Sequence, residues 1–376
     1  MEVIAEISQL KVAIVHYWLT GMRGGEKVLE AICDIFPQAD IYTHVYVPDA
    51  VSDKLKRHQI KTTFIQKLPR AHKWYPYYLP FMPMALEALD LTEYDLIISS
   101  ESGPAKGIIP RPDALHICYT HSPMRYIWDM YYTYWGDAHW LKRIPIAIMA
   151  HYLRLWDSQS ALRTDKFIAN SSFVAQRIKK YYRRDARVIC PPVDTERFCP
   201  VAEPDADYYL WLGELCQYKR PLDALHAFNQ SGKTLVMVGE GELKQCIQQQ
   251  ARDNISIRSR VSQQEIIRLF QNCRALIYTG VEDFGIIPVE VMACGRPVIA
   301  LNRGGIKDSV INNVTGILYN QPSIDDLNQA VEEFEKNEAL FLPEIIRKHS
   351  ESFSYARFIR AIKKCLNEVQ ASIIPR

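Results

Sequence analysis

Short apolar runs rich in Val and Ile alternate along this chain with segments of helical period, which predicts parallel sheets covered by helices on both faces. A first series of predicted strands comprises KVAIVHY (11–17), DIYTHVYV (40–47), DLIISS (95–100), LHICYTH (115–121), KFIAN (166–170) and RVICPPV (187–193). A second comprises YYLWLG (208–213), TLVMVG (234–239), ISIRS (255–259), ALIYTG (275–280), PVIAL (297–301) and GILY (316–319). Between them PPVDTERFCPVAEPDAD breaks both periodicities with repeated Pro and acidic residues, which places a hinge near 191–207. The expected domains are 1–195 and 196–353, each a doubly wound parallel sheet. Open sheets of this kind bind ligands beyond the carboxyl ends of their strands, so chemistry is expected in post-strand loops and in a cleft between the domains.

The length of 376 residues exceeds what one hydrophobic core organises, in line with two domains. Apolar and charged fractions of 48% and 23% fit a soluble globular protein. A formal net charge of +2 argues against affinity built on nucleic-acid phosphates. The nine cysteines are scattered and never form C-x-x-C, so neither a disulfide framework nor a zinc knuckle is indicated and a reducing cytosol fits. The opening MEVIAEISQL has acidic residues where a secretory signal has basic ones, and the expectation is a protein that stays inside. The longest apolar run, IPIAIMA at 144–150, falls far short of the roughly 20 residues that span a bilayer, so any membrane contact is expected from the surface.

Four loops carry candidate chemistry. After the first strand, Gly24 and Gly25 open a helix expected to begin near Glu26; glycines there let amides approach an anion, although a tight structural turn explains them equally. His121 follows the fourth strand, with Arg125 and Asp129 beyond it. In the second series Lys219 and Arg220 precede Pro221, a residue suited to a first helical position; two cations beside a helix N-terminus suit a diphosphate, or simply a solvated helix start. The stretch GVEDFGIIPVEVMACGRPVIALNRGG predicts a short helix over 288–294, with Pro288 at its start, Gly295 as its stop and Glu290 in its first turn. Ile287 cannot complete a capping box with Glu290. Glu282 lies in the preceding loop, and two such carboxylates accept hydrogen bonds from sugar or ribose hydroxyls while Gly285 admits backbone amides to the same ligand. Glycoside hydrolysis also uses paired carboxylates, at a separation that sequence does not give.

Together these pieces resemble the family 4 glycosyltransferases, whose GT-B fold is a pair of Rossmann-like domains facing across a cleft. EDFGIIPVE has the family's E-x7-E form, with Glu282 and Glu290 at its ends, and PPVDTERF, the glycine pair and the His121 loop extend the likeness over nearly the whole chain. The resemblance implies that Glu290 binds the ribose, that Glu282 contacts the donor sugar, and that amides of Phe284, Gly285 and Ile286 face its hydroxyls. It implies that Lys219 holds the diphosphate, that His121 sits beside the anomeric centre, that Gly24 and Gly25 border phosphate and acceptor, and that Arg260 and Val261 lie near the base. It further implies transfer with retention of configuration and a last helix, within 354–376, that crosses back to the first domain.

One departure is Glu214, where the family usually has Arg; a carboxylate repels a diphosphate, and Arg220 is the neighbouring cation that can substitute. No D-x-D stands at a strand end, since Asp205-Ala206-Asp207 lies in the linker, so no metal and no cofactor beyond the donor is expected. HSPMRYIWD looks like bacterial mannosyltransferases of O-antigen and exopolysaccharide assembly, which implies GDP-mannose as donor and a glycan or polyprenyl-diphosphate acceptor. Six of seven tryptophans precede residue 160, and RYIWDMYYTYWGDAHWLKR (125–143) and KWYPYYLPFMP (73–83) interleave aromatics with basic residues. Such segments suit either a bilayer interface, at the inner face of the cytoplasmic membrane, or a domain core. A nucleotide-sugar epimerase of the same fold and a non-catalytic nucleotide-sugar-binding protein are the alternative functions.

Overall fold

All twelve predicted strands form, and a thirteenth joins them, in a computed structural model that describes residues 10–136, 139–204 and 207–373. Most of the opening decapeptide, Asp137 and Ala138 of the aromatic segment, and Asp205 and Ala206 of the D-x-D stretch lie outside the described residues. The chain divides into two units: one runs to Pro191 and resumes at Phe358, and the other is Pro192–Arg357.

In the first unit the strands are β1 (Val12–His16), β2 (Asp40–Thr43), β3 (Ile60–Thr62), β4 (Leu96–Glu101), β5 (Leu115–Thr120), β6 (Lys166–Ala169) and β7 (Ala186–Val188). They pair in parallel in the order β3-β2-β1-β4-β5-β6-β7. Every residue of β1 and β4 is buried, as strands covered on both faces are, and the burial includes the polar His16 that ends β1 and Ser99, Ser100 and Glu101 that end β4. The unpredicted strand, β3, is a three-residue edge of half-buried residues, too short and too polar to show a period. The second unit holds β8 (Tyr208–Leu212), β9 (Leu235–Val238), β10 (Ile255–Arg258), β11 (Cys273–Tyr278), β12 (Val298–Leu301) and β13 (Gly316–Tyr319), in the parallel order β10-β9-β8-β11-β12-β13. In each sheet the chain winds outward one way and then restarts beside its first strand. The switch points, where loops on the carboxyl side part and leave room for a ligand, fall between β1 and β4 and between β8 and β11.

The helices that bear on these points are α1 (Gly24–Ile35), α2 (Trp140–Ser160), α3 (Ser172–Tyr182), α4 (Pro221–Ser231), α5 (Ile286–Ala293) and α6 (Tyr355–Ile373). Two begin earlier than their sequences predict. Helix α1 starts at Gly24 rather than near Glu26, because the third-position Glu26 carboxylate reaches back to accept the Arg23 N–H at 2.8 Å. Helix α5 starts at Ile286, capped by Gly285 at φ +86°, so Pro288 is its third residue and Glu290 lies beyond its first turn. Proline is tolerated there because the first four helical N–H groups have no intrahelical acceptor. Gly295, at φ +75°, follows the end of α5 as expected. In α6, Phe358 packs edge-on against Tyr119 with ring centroids 5.8 Å apart, and Glu368 pairs with Arg187.

Two further features of the first unit matter below. Lys106 is fully buried and ion-paired with Glu101 at 2.9 Å and with Asp157 of α2, whose second oxygen accepts from Trp128 Nε1 at 2.7 Å and from the Tyr182 hydroxyl at 2.9 Å. Helix α2 also turns apolar side chains to solvent: Trp140, Leu141, Ile144, Ile148, Tyr152 and Leu155 are all exposed, at spacings that put them along one face. Among the described residues no helix is long and apolar enough to cross a membrane.

Candidate active site

At the first unit's switch point the parallel register sets His16, the last residue of β1, opposite Ser100 of β4. Ser100 Oγ lies 3.0 Å from His16 Nδ1 and 2.9 Å from His121 Nε2, so one hydroxyl joins two imidazoles. Glu26 of α1 closes the row, with Oε1 at 3.6 Å from His16 Nε2. The backbone of His121 is fixed separately: its N–H donates to Glu101 O at 2.7 Å, and Asn170 Nδ2 donates to its carbonyl at 2.9 Å. Gly25 belongs to the same group, because a Cβ there would fall 2.3 Å from the Tyr17 hydroxyl and 3.7 Å from His121 Nε2. Burial, aided by the nearby His16, pushes the His121 pKa down to about 3, so the ring is neutral at physiological pH. Burial alone would raise the pKa of Glu26, but the His16 ring and the Arg23 amide outweigh it and hold the carboxyl below its usual range.

Further along the same loop, Asp129 accepts from Arg177 of α3 at 2.6 Å, so it serves as an anchor for the segment after His121. His16 and Ser100 were not singled out in the sequence. The signal for His16 was its place at the very end of the first strand, beside the glycine pair.

At the second unit's switch point Lys219 and Glu282 meet. Lys219 Nζ lies 2.8 Å from Glu282 Oε1, joining the loops that follow β8 and β11. The Lys219 stem crosses Gly213, where a Cβ would come within 3.3 Å of Cδ. Thr279 Oγ1 sits 2.9 Å from the carbonyls of both Lys219 and Arg220 and accepts from Trp211 Nε1 at 3.1 Å, which pins the basic loop to β11. Arg220 adopts φ +52° just before Pro221, the first residue of α4 as predicted. Its guanidinium donates from Nε to Asp223 at 2.7 Å and from Nη2 to the Pro322 carbonyl at 2.8 Å, so much of its charge is used within the fold. Glu214 is exposed in the same loop.

The Glu282 loop is shaped by glycine. Gly305 N–H donates to Glu282 O at 2.9 Å, and a Cβ on Gly304, at φ +80°, would lie 2.5 Å from that same oxygen. At Gly285 a Cβ would lie 2.8 Å from the Tyr278 hydroxyl, whose pKa burial and then the Glu282 charge push well up. The amides of Phe284, Gly285 and Ile286 find no main-chain acceptor among the described residues and lie at the N-terminal end of α5. Glu290 is buried within α5. Arg260 and Val261 follow β10, an edge strand two places from β8, and no bond joins them to Lys219 or Glu282. Gly304 and Gly305 were legible only as the adjacent glycines ending the acidic stretch. Among the described residues no three His, Cys, Asp or Glu side chains are grouped to hold a metal ion.

Two all-parallel α/β units, each with its polar groups gathered at a switch point, define the GT-B class of two-domain proteins. Residues 22–197 match the family model described as Glycosyltransferase Family 4 and residues 192–356 that of Glycosyl transferases group 1, so the chain carries one domain of each of these two glycosyltransferase families. It is 26% identical over 223 residues to an uncharacterized glycosyltransferase of Methanocaldococcus jannaschii, covering 57% of this chain and 63% of that relative's length. A shorter stretch of 63 residues is 48% identical to the alpha-1,3/1,6-mannosyltransferase ALG2 of Dictyostelium discoideum, covering 16% of this chain and 15% of the relative. Among solved structures, Anabaena HepE in complex with UDP and glucose matches 96% of this chain and all of its own, with a TM-score of 0.69 at 15% identity. The sucrose-phosphate synthase of Thermosynechococcus elongatus matches 97% of this chain and all of its own, with a TM-score of 0.72 at 16% identity.

Proposed function

We propose that this protein is a retaining, metal-independent hexosyltransferase that moves mannose from GDP-mannose onto a glycan or polyprenyl-diphosphate-linked acceptor in cell-surface polysaccharide synthesis. The observation that carries the transferase reading is the Lys219–Glu282 pair at the second switch point, beside three amides at the start of α5. In this reading the diphosphate takes the Lys219 ammonium and the amides, Glu282 turns to the sugar hydroxyls, and buried Glu290 holds the ribose. The bond from the anomeric carbon to the diphosphate oxygen breaks as the acceptor hydroxyl attacks from the same face, and the hydroxyl proton passes to the departing phosphate oxygen. Lys219 stabilises the charge that gathers on the leaving group, and neutral His121 accepts a sugar hydroxyl. Support for mannose comes from the stretch similar to ALG2.

The protein works in this proposal at the inner face of the cytoplasmic membrane. Support comes from the exposed apolar face of α2, flanked by Lys142 and Arg143, which matches an acyl boundary under anionic headgroups.

Calorimetric titration with GDP, UDP and ADP in EDTA, beside a Glu290→Ala variant, tests the reading. Micromolar binding of GDP that the variant loses is expected. Preference for UDP overturns the mannose assignment, and absence of binding by all three overturns the transferase.

A further inference from the structure

We infer that the Tyr278 hydroxyl holds the Glu282 carboxylate when Lys219 lets it go, and so keeps Glu282 in place for the sugar while the ammonium goes to the diphosphate. The inference rests on the transferase reading only for what draws Lys219 away.

Tyr278 closes β11, just before the loop that carries Glu282, and its side chain is buried. The hydroxyl is tucked under the cap of α5: a Cβ on Gly285 would fall 2.8 Å from the oxygen and 3.3 Å from Cζ. That oxygen is shielded from solvent and forms no well-aligned hydrogen bond among the described residues. A buried O–H without such a bond carries a desolvation cost that phenylalanine would avoid with the same ring volume, so packing does not account for the hydroxyl. Beside it lies Glu282, whose carboxylate acts on the phenol both by charge and as a hydrogen-bond acceptor. Burial is the largest cause that pushes the phenol well above its ordinary value, and Tyr218 and Asp283 act in the same direction as Glu282, so the hydroxyl keeps its proton and is available to donate.

The main chain of Glu282 is fixed independently of its side chain. Its carbonyl accepts the Gly305 N–H at 2.9 Å and is closely approached by Gly304. Departure of the Lys219 ammonium, 2.8 Å from Oε1 in the ligand-free protein, therefore leaves the carboxylate beside Tyr278 rather than carrying the loop away. A carboxylate has lone pairs for several donors, so one can take the phenol O–H while others take sugar hydroxyls. Tyr278 thus acts through Glu282, as a positioning residue, and does not itself meet the ligand.

Lys219→Met removes the ammonium without any ligand, which lets the hold be read in the nucleotide-free protein. Urea unfolding of the wild type, Tyr278→Phe, Lys219→Met and the double variant forms a cycle. Tyr278→Phe is expected to change the unfolding equilibrium constant by less than about threefold in the wild type and by about tenfold in the Lys219→Met background, the worth of a hydrogen bond to a charged group. An effect of equal size in both backgrounds overturns the inference, whatever the protein binds. In calorimetry with GDP and GDP-mannose, Tyr278→Phe is expected to keep GDP affinity within about twofold and to lose about fivefold in affinity for GDP-mannose. The same comparison with UDP and UDP-glucose applies if UDP is the nucleotide bound. Equal losses for nucleotide and nucleotide sugar, or no loss for either, also overturn the inference. The expected unfolding cycle in a protein that binds no nucleotide overturns instead the transferase reading.

Discussion

Lys219 Nζ and Glu282 Oε1 lie 2.8 Å apart, so the cation expected to hold a diphosphate is already paired with the carboxylate expected to read the sugar. The two roles compete until a ligand separates them. Glu282→Gln is therefore expected to tighten binding of a bare nucleoside diphosphate about two- to fivefold, the worth of a partly exposed ion pair, while lowering turnover. Lys219→Ala is expected to weaken diphosphate binding and reduce kcat about a hundredfold through loss of leaving-group stabilisation. Calorimetry with steady-state kinetics separates the two effects, and equal losses of binding in both variants would contradict the competition.

The glycine at 304 sits in the left-handed region with no room for a methyl group against Glu282 O. Gly304→Ala is expected to cost about 1–3 kcal/mol of stability in urea unfolding and to weaken nucleotide binding by displacing the Glu282 loop. Gly21→Ala, where nothing lies within 4 Å of the added carbon, is the control expected to leave both unchanged.

Lys106 neutralises two carboxylates in a fully buried site. Lys106→Met leaves Glu101 and Asp157 facing each other without a cation, and a loss of about 3–5 kcal/mol is expected in chemical denaturation. Because Glu101 O also receives the His121 N–H, the same variant is expected to shift the NMR signals of His121.

Two buried histidines, His44 and His116, and the half-buried His121 are expected to weaken the fold in acid. His44 donates to the Pro104 carbonyl and accepts from Thr63, His116 donates to the Arg163 carbonyl and accepts from Ser99, and burial pushes both down to about 4; His121 stands at about 3. Each folded pKa lies below the value near 6.5 of an unfolded histidine, so between them the unfolded chain binds the extra proton. Their contribution is complete above pH 6.5 and is lost as the pH falls toward 4, with a slope of about 1.4 kcal/mol per pH unit for each of the fully buried pair. Unfolding free energies measured from pH 7 to pH 4 are expected to decline along this slope, and less steeply in His116→Gln.

The exposed face of α2 is expected to hold the protein on vesicles containing anionic lipid. Ile144→Glu with Ile148→Glu, which places charge on that face without touching the core, is expected to abolish co-sedimentation while leaving nucleotide binding intact.

Strands were legible because those of a sheet covered on both faces need apolar runs, which β1 and β8 supply over nearly their whole length and β4 and β11 supply in Leu96–Ile98 and Ala275–Tyr278. Where two residues set a local geometry the sequence misled: Gly285 moved the start of α5, and Glu26 moved that of α1 by capping from within. Glu282 and Glu290 stood out because a fixed interval separates them in one short segment. The His16–Ser100–His121 row did not, since its members sit on three separate strands or strand ends and meet only through parallel register. The same holds for Lys219 and Glu282, each visible alone and joined only by the β8–β11 pairing.

The contact between the Glu282 loop and Gly304–Gly305 is made chiefly of main chain on both sides. Beyond Val281 Cγ1, which stands 3.0 Å from where a Cβ on Gly304 would fall, it offers substitution no side chain to enlarge or trim, and any carbon added at either glycine is rejected. Changes at Asp283 or Arg303 therefore alter the chemistry around the carboxylate without altering its height above the sheet. What the site reads is free to drift while the place where it reads stays put.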